Sequence, residues 1–273
     1  MEEHPDMSVT PEQTRRWLAA VVVRRSRRSF DGLPVGEADL DSLEALCRSF
    51  RPYGDARVAL VRNAPESLFR GIIGSYGKVT GASSALVFLG TPAEDGTDQH
   101  VGFTGEAVVL EATALGLDTC WIAGSLDRKV AAGAARIMPG ERVFAVSPLG
   151  HATSDAPASE RLIFGWGKPK KRRTIVEIAP DSAGWPTWAA AGLEAARVAP
   201  SAMNRQPWRF RRSDEGIVVS GSGLNTPGVT HALDCGIAML HFELAARAVG
   251  GPGVWIDVEV GSRDIARWLP EVS

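Results

Sequence analysis

The sequence predicts an α+β fold built from two tandem pseudo-repeats. Short apolar runs of strand length alternate with longer runs of helical periodicity along the chain. A stretch rich in Gly, Pro and cations, residues 165–174, divides it. Beyond that stretch, segments of the first part recur in the same order, which is typical of an internal duplication.

Helix and strand signals alternate in the first part of the chain. Thr10 followed by Pro11 predicts a helix start, because Pro is favoured at the first helical position, and this helix is expected to end near Arg24. From Val35 to Cys47 the leucines fall on one face, which predicts a second helix. The other predictions are strands over residues 57–62, 84–89 and 143–149 and a long, mostly buried helix over residues 102–115.

The second part repeats features of the first. EALCRSFRPYGDARVAL, which starts at Glu44, aligns with EAARVAPSAMNRQPWRF, which starts at Glu194. Residues 102–121 likewise align with residues 236–255, each a helix that ends at a glycine before a strand with a tryptophan. Chance similarity of two Ala-rich helices is the alternative, and the matching Gly and Trp residues favour a duplication. We therefore expect a tail and helix start at residues 1–20, a first half at 21–178 and a second, shorter half at 179–273.

Composition narrows the class of protein. The chain of 273 residues is 44% hydrophobic and 23% charged, as in a globular protein with a real core, and its net charge of −2 gives no bulk attraction to nucleic acid. The cysteines Cys47, Cys120 and Cys235 are far apart, which argues against a zinc site or a disulfide framework and fits buried thiols in a reducing cytoplasm. Without a signal-peptide pattern or a membrane-spanning apolar run, we expect a cytoplasmic protein with no membrane partner.

Two basic stretches are candidate anion sites. In RRSRRSF, residues 24–30, an extended backbone would place Arg24, Ser26 and Arg28 on one side. Guanidinium groups with a hydroxyl between them suit a phosphate, and a solvated basic turn is the alternative. KPKKRRT, residues 168–174, is compatible with a basic linker or a nucleic-acid patch. Nucleic acid is disfavoured because no helix-turn-helix, zinc finger or aromatic platform accompanies it.

The most distinctive stretch is APSAMNRQPWRF, residues 199–210. Ser201, Asn204 and Gln206 can donate or accept hydrogen bonds, and two prolines stiffen the backbone around them. The aligned segment of the first half, FRPYGDARV, lacks these polar residues, and the second half lacks RRSRRSF. The sequence therefore predicts one asymmetric site with parts drawn from each half.

Other chemical signals are weaker. In GLDTCWIAGS, residues 116–125, small residues after a strand allow the backbone to approach a flat ligand. His231, Asp234 and His241 lie on or near one helix without an evident third ligand, so a structural role is favoured over a metal site. No Ser-His-Asp signature, P-loop or GxGxxG occurs, and we expect no catalytic acid, base or nucleophile from the chain.

Taken together, these motifs resemble the FMN-dependent nitroreductase family from about Arg24 to Trp255. RRSRRSF resembles its phosphate-binding start, APSAMNRQPWRF its most specific motif, GLDTCWIAG the strand beneath the flavin and KPKKRR the basic C-terminal phosphate contact. The resemblance implies a nitroreductase-like α+β fold with a helix-flanked, mostly antiparallel sheet in each half. Family members are typically homodimers with two FMN sites at the interface. This chain resembles a tandem fusion of two subunits, which implies a monomer with an internal pseudo-dimer interface and one FMN.

The resemblance also implies roles for single residues. The expected phosphate ligands are Arg24, Ser26, Lys170 and Arg172, with Arg173 as an alternative to Arg172. The expected cations beside N1 and O2 of the flavin ring are Arg28 and Lys78. The residues expected to pack along the flavin from the other half are Pro200, Ser201, Ala202 and Asn204. The residues expected to contact the ring near N5 through their backbone are Ile122, Ala123 and Gly124, and Ser75 stands where the family often has Asn at the O4 and N3 edge.

The function implied by the resemblance is an FMN-dependent NAD(P)H oxidoreductase. Hydride would pass from NAD(P)H through FMN to a nitroaromatic, a quinone or a similar acceptor, each stacking in turn on one open face of the ring. Two alternatives use the same motifs. One is an FMN-dependent oxidase or dehydrogenase of a small metabolite, and the other is a non-catalytic flavin-binding protein.

Overall fold

The computed structural model describes residues 9–69, 79–92, 96–124, 126–153, 171–225, 228–258 and 263–271. The elements up to residue 153 are α1 (Pro11–Val23), α2 (Glu37–Ser49), β1 (Ala56–Val61), β2 (Ser84–Gly90), α3 (Thr97–Ala114), β3 (Asp118–Thr119), α4 (Arg128–Ala135) and β4 (Arg142–Gly150). Those from residue 171 onward are α5 (Ile175–Ile178), α6 (Thr187–Arg197), β5 (Trp208–Arg212), β6 (Ile217–Gly221), α7 (His231–Ala248), β7 (Gly253–Asp257) and β8 (Asp264–Pro270).

The helix starts show what the sequence could and could not indicate. At α1 the Thr10 side chain accepts a hydrogen bond from the Gln13 N–H, and the Gln13 side chain accepts one from the Thr10 N–H. This capping box confirms the predicted start. Helix α3 begins at Thr97 rather than at residue 102, because its polar first turn is buried by contacts with distant residues.

Each half contains one four-stranded antiparallel sheet, as the sequence resemblance predicted. The strand order is β1-β2-β4-β3 in the first sheet and β5-β6-β8-β7 in the second. The first, second, fourth and third strand of each half are neighbours in that order, so the two sheets have the same topology. Each sheet also shifts its register between the two inner strands, at Phe88/Leu89 in the first and at Val219/Ser220 in the second. The two halves are therefore pseudo-repeats in topology as well as in sequence.

The core lies where the two halves meet. Helices α3 and α7 are buried on nearly every side, and a single cluster of buried apolar residues includes both helices and side chains from both sheets. The three cysteines are buried as free thiols. In the described part of the chain, no helix combines the length and apolarity needed to cross a membrane.

Two aligned glycines set the distance between α3 and α7. A Cβ atom on Gly102 would overlap the Leu233 carbonyl oxygen, and one on Gly236 would overlap the Gln99 carbonyl oxygen. Gln99 and Leu233 occupy aligned positions of the two repeats, so the contact is reciprocal. The helices approach closely because neither glycine has a side chain there.

This close approach gives a test by alanine substitution. The Cβ atom added by Gly102→Ala would push the backbones of α3 and α7 apart in a packed core. We expect this substitution to lower the free energy of unfolding by roughly 1–3 kcal/mol or more. Gly133→Ala in α4 is the control, since an added Cβ atom there meets nothing within 4 Å. Because Ala favours helix more than Gly does, the control should be stabilised by about 0.5–1 kcal/mol. Urea denaturation measures both, and a neutral Gly102→Ala would contradict the packing.

Candidate functional site

The basic segment, residues 24–30, leaves α1 in an extended conformation beside β3. Ser26 bridges to Thr119, and the Arg27 N–H donates to the Thr119 carbonyl over 2.9 Å. Arg24 is buried, and its Nη1 lies 3.5 Å from Ser26 Oγ, whereas Arg25 is exposed. Two of the sequence motifs, RRSRRSF and GLDTCWIAG, are therefore adjacent in the structure, and Arg24 lies beside Ser26.

Glu106 joins parts of both halves beneath this segment. Its carboxylate is fully buried and accepts a hydrogen bond from Trp121 Nε1 at 2.7 Å, and it lies 2.9 Å from His241 Nε2. Arg24 Nε lies 3.8 Å from the same carboxylate. His241 Nδ1 lies 3.2 Å from the Ala195 carbonyl. Glu106 thus fixes Arg24 relative to Trp121 and to helix α7.

Arg172 brings a further positive charge to Arg24. Its Nη1 donates to the Ala199 carbonyl at 2.6 Å, where the polar loop, residues 199–206, begins. Burial, together with the charges of Arg24, Arg197 and Arg25, lowers the pKa of Arg172 to about 10. Arg172 still carries its charge at neutral pH, and those neighbours are cations. Such an arrangement is costly alone and is relieved by an anion.

The polar loop is held by its own side chains. Ser201 Oγ accepts from the Gln206 N–H at 3.0 Å, and Asn204 Nδ2 donates to the Lys171 carbonyl at 3.1 Å. Met203, Asn204 and Gln206 have φ angles of 53°, 57° and 49°, a left-handed conformation that residues other than glycine rarely adopt. The loop therefore keeps a strained backbone because its hydrogen bonds determine it.

A buried ion pair anchors the polar loop to the start of α7. Arg205 Nε donates to Asp234 at 2.7 Å, and the Ala202 N–H donates to the other carboxylate oxygen at 3.1 Å. Arg205 also donates to the Thr230 carbonyl at 2.6 Å. Burial raises the pKa of Asp234 although the Arg205 charge opposes the shift.

Residues 122–124 follow Trp121 beside β4 of the first sheet. Ile122 is buried and pairs with Val146, and the Ala123 carbonyl accepts from Arg128 at 3.2 Å. A Cβ atom on Gly228 of the second half would lie 3.6 Å from the Gly124 Cα. Arg205 of the polar loop binds the carbonyls just beyond Gly228, so this segment and the polar loop both contact residues 228–230.

The structure thus groups several residues that the sequence selected and leaves others apart. Arg24, Ser26 and Arg172 lie together, with Ala199 at the start of the polar loop. Pro200 is buried, and the Arg28 carbonyl accepts from the Thr80 N–H at 2.9 Å. Ser75, Lys78 and Lys170 fall outside the described residues.

A cavity of about 300 Å³ lies between the polar loop and residues 171–173. This volume is at the low end of small-molecule sites. Its lining residues are Lys171, Arg172, Arg173, Glu177, Asn204, Arg205 and Gln206. The cavity combines several cations, which suit an anionic ligand, with the side-chain amides of Asn204 and Gln206, which donate to the Lys171 carbonyl.

The matching place in the first half has different chemistry. In the alignment from Glu44 and Glu194, Asp55 stands where the second half has Arg205. Asp55 pairs with His100 on α3 at 2.8 Å, as Arg205 pairs with Asp234 on α7, so the anchoring ion pair recurs with exchanged signs. His100 also binds Asp257 at 2.8 Å.

Several residues of this site escaped the sequence predictions. Glu106 gave one signal, a carboxylate inside a helix predicted to be mostly buried. The sequence favoured a structural role for His241. It did not indicate the contact with Glu106, because Glu106 lies far away in sequence. No cluster of three or more His, Cys, Asp or Glu side chains suited to a metal ion occurs within the described ranges.

Comparison with known proteins agrees with this architecture. The family model described as "Putative TM nitroreductase" matches residues 17–246. A Thermotoga maritima protein described as a "putative nitroreductase" has 22% sequence identity and a TM-score of 0.61, with 98% of each chain covered, and at that identity shows the shared fold. A nitroreductase with bound FMN from Bacteroides fragilis has 18% identity and a TM-score of 0.43, covering 63% of this chain and 97% of its own. No curated protein matches the chain.

The His100 cluster predicts a pH dependence of stability. Burial alone would lower the pKa of His100, but the carboxylates of Asp257 and Asp55 reverse this and raise it to about 9. The stabilisation is therefore complete below about pH 6.5, the value in the unfolded chain, and is lost as pH rises through about 9. His100→Gln should remove roughly 2–3 kcal/mol of unfolding free energy at pH 6 and much less at pH 10.

Urea denaturation of both proteins between pH 6 and 10 measures this difference. His151→Gln is the control, because His151 is exposed, and it should leave the pH profile unchanged. A stability difference between wild type and His100→Gln that does not vary with pH would contradict the assignment.

Proposed function

Because the chain belongs to the nitroreductase family matched over residues 17–246, we propose that it is an FMN-dependent oxidoreductase. Its electron donor would be NAD(P)H, and its acceptor a nitroaromatic, a quinone or a similar electron-poor compound. The observation that carries this proposal is the convergence of Arg24, Ser26 and Arg172 at the polar loop.

The charges around Arg24 fit the phosphate of FMN. The positive charges of Arg24, Arg25 and Arg197 act on Arg172, and the Glu106 carboxylate lies 3.8 Å from Arg24 Nε. This excess of positive charge suits a phosphate monoester, which carries about −1.5 to −2 at neutral pH. Arg24 and Arg172 would bind the phosphate oxygens, and the Ser26 hydroxyl would donate a neutral hydrogen bond. Lys170 is proposed as a further ligand from its sequence position.

The small-residue segment and the polar loop would hold the ring. Ala123 and Gly124 present backbone with little side chain, which lets a flat ring approach closely. Residues 200–204 would pack along the flavin from the second half. Arg28 and Lys78 would favour negative charge at the N1 and O2 edge, and Ser75 would face the O4 and N3 edge. Bound FMN would supply hydride acceptance and delivery, for which the chain offers no group of its own.

The residues that align with the basic segment support the proposal of a single site per chain. Extending the alignment from Glu194 places Thr174, Val176 and Ile178 where the first half has Arg24, Ser26 and Arg28. The equivalent phosphate site would thus have no cation at those positions. We propose a monomer with an internal pseudo-dimer interface, produced by tandem duplication of a half at residues 21–178 and a shorter half at 179–273.

The proposal predicts flavin-dependent oxidation of NADH or NADPH. Purified protein with FMN and a quinone or nitroaromatic should oxidise one of these donors, measured at 340 nm. Arg24→Met should weaken FMN binding about tenfold to a hundredfold, because each charge-assisted hydrogen bond is worth roughly 1.5–3 kcal/mol. Arg48→Met is the control, since the exposed Arg48 side chain lies on α2 and pairs with Glu44.

Different failures distinguish the alternatives. Tight FMN binding without oxidation of either nicotinamide would favour a non-catalytic flavin-binding protein. Oxygen consumption with a reduced metabolite and no nicotinamide would favour an oxidase. Equal FMN affinity of wild type and Arg24→Met would contradict the phosphate assignment.

A further inference from the structure

Gln206 contacts the backbone on both sides of Arg172. Its side chain is buried, with 4% of the residue exposed. The carboxamide Oε1 accepts from the Arg173 N–H at 2.8 Å, and Nε2 donates to the Lys171 carbonyl at 3.1 Å. These two groups belong to the peptide units that precede and follow the Arg172 Cα. Asn204 donates a second hydrogen bond to the Lys171 carbonyl at 3.1 Å.

Fixing these peptide units fixes the direction of the Arg172 side chain. A residue has two soft backbone dihedral angles, and they are set by the orientations of the peptide planes on either side. The Cα–Cβ bond of Arg172 then points in one direction. Its guanidinium donates to the Ala199 carbonyl at 2.6 Å, beside the charge of Arg24.

The protein uses both side-chain N–H hydrogens of Gln206. One Nε2 hydrogen is directed at Lys171 and the other at the Asn204 carbonyl, 3.1 Å away. The Gln206 N–H donates to Ser201 Oγ. Gln206 also keeps a left-handed φ of 49°, a strained conformation that persists only where the surroundings determine it. Its amide is built to hold backbone rather than to meet a ligand.

We propose that Gln206 is a positioning residue for the phosphate site, which aims Arg172 at a phosphate monoester without touching it. This inference rests on the proposed function, because Arg172 acts there as a ligand of the FMN phosphate. The polar loop then has two tasks. Residues 200–204 would lie along the flavin ring, and Gln206 fastens the loop to the basic residues 171–173.

The test compares FMN with riboflavin, which has the same ring but no phosphate. The ratio of the two dissociation constants, measured by titration of flavin fluorescence, isolates the phosphate contribution. Gln206→Met keeps length and charge but removes the hydrogen bonds, and we expect it to lower the ratio about tenfold, the effect of misplacing one charged ligand. Gln99→Met is the control, since Gln99 is equally buried but donates to Asp257, and should leave the ratio unchanged.

A double substitution shows whether Gln206 acts through Arg172. Arg172→Met alone should lower the ratio by tenfold or more, and Arg172→Met combined with Gln206→Met should lower it no further. Losses that multiply in the double variant would overturn the inference. So would an equal weakening of FMN and riboflavin by Gln206→Met, which a merely structural role predicts.

The same series separates this inference from the proposed function. If Arg172→Met leaves the ratio unchanged, the phosphate assignment itself is wrong. If Arg172→Met lowers it and Gln206→Met does not, the positioning role is wrong and the assignment stands. Should Gln206→Met fail to fold, Asn204→Gly removes one hydrogen bond to Lys171 and suits the φ of 57°. A smaller fall in the ratio is expected there, and no fall would overturn the inference.

Discussion

The reciprocal contact of α3 and α7 at Gly102 and Gly236 is the constraint on which the rest of the structure depends. Two buried helices can approach this closely because neither glycine carries a side chain. At that distance Glu106 on α3 reaches His241 on α7, and its carboxylate also lies beside Arg24. The position of the basic segment relative to the second half thus follows from helix packing.

The two halves share a backbone topology but differ in the charges of the residues at aligned positions. In each, an ion pair ties the loop before the first or fifth strand to the start of a long buried helix. The second half uses Arg205 and Asp234, whereas the first uses Asp55 and His100, with the Tyr53 ring stacked on His100 at 3.9 Å. In each half, the loop is therefore anchored to the long helix by an ion pair. The cations of residues 24–28 have neutral or acidic counterparts at 174–178.

The sequence indicated the fold and much of the site because those signals are local. The Thr10 cap, the apolar periodicity and the matched glycines were sufficient for the helices, the strands and the repeat. The role of Glu106 and the backbone contacts of Gln206 could not be found this way, because the partners of both residues lie far away in sequence. Glu106 lies beside Arg24 and bonds to His241, and Gln206 meets the backbone of residues 171–173. The start of α3 at Thr97 was missed for the same reason, since distant contacts bury its polar side chains.

The number of FMN molecules bound per chain tests the central claim, that one asymmetric anion site is assembled from both halves. Equilibrium titration of the flavin-free protein with FMN, together with the molecular mass of the complex in solution, measures this number. We expect one FMN per monomeric chain and a strong loss of affinity in Arg24→Met. Two FMN per chain would contradict it, because the second half would then bind phosphate without the cations that define the first site.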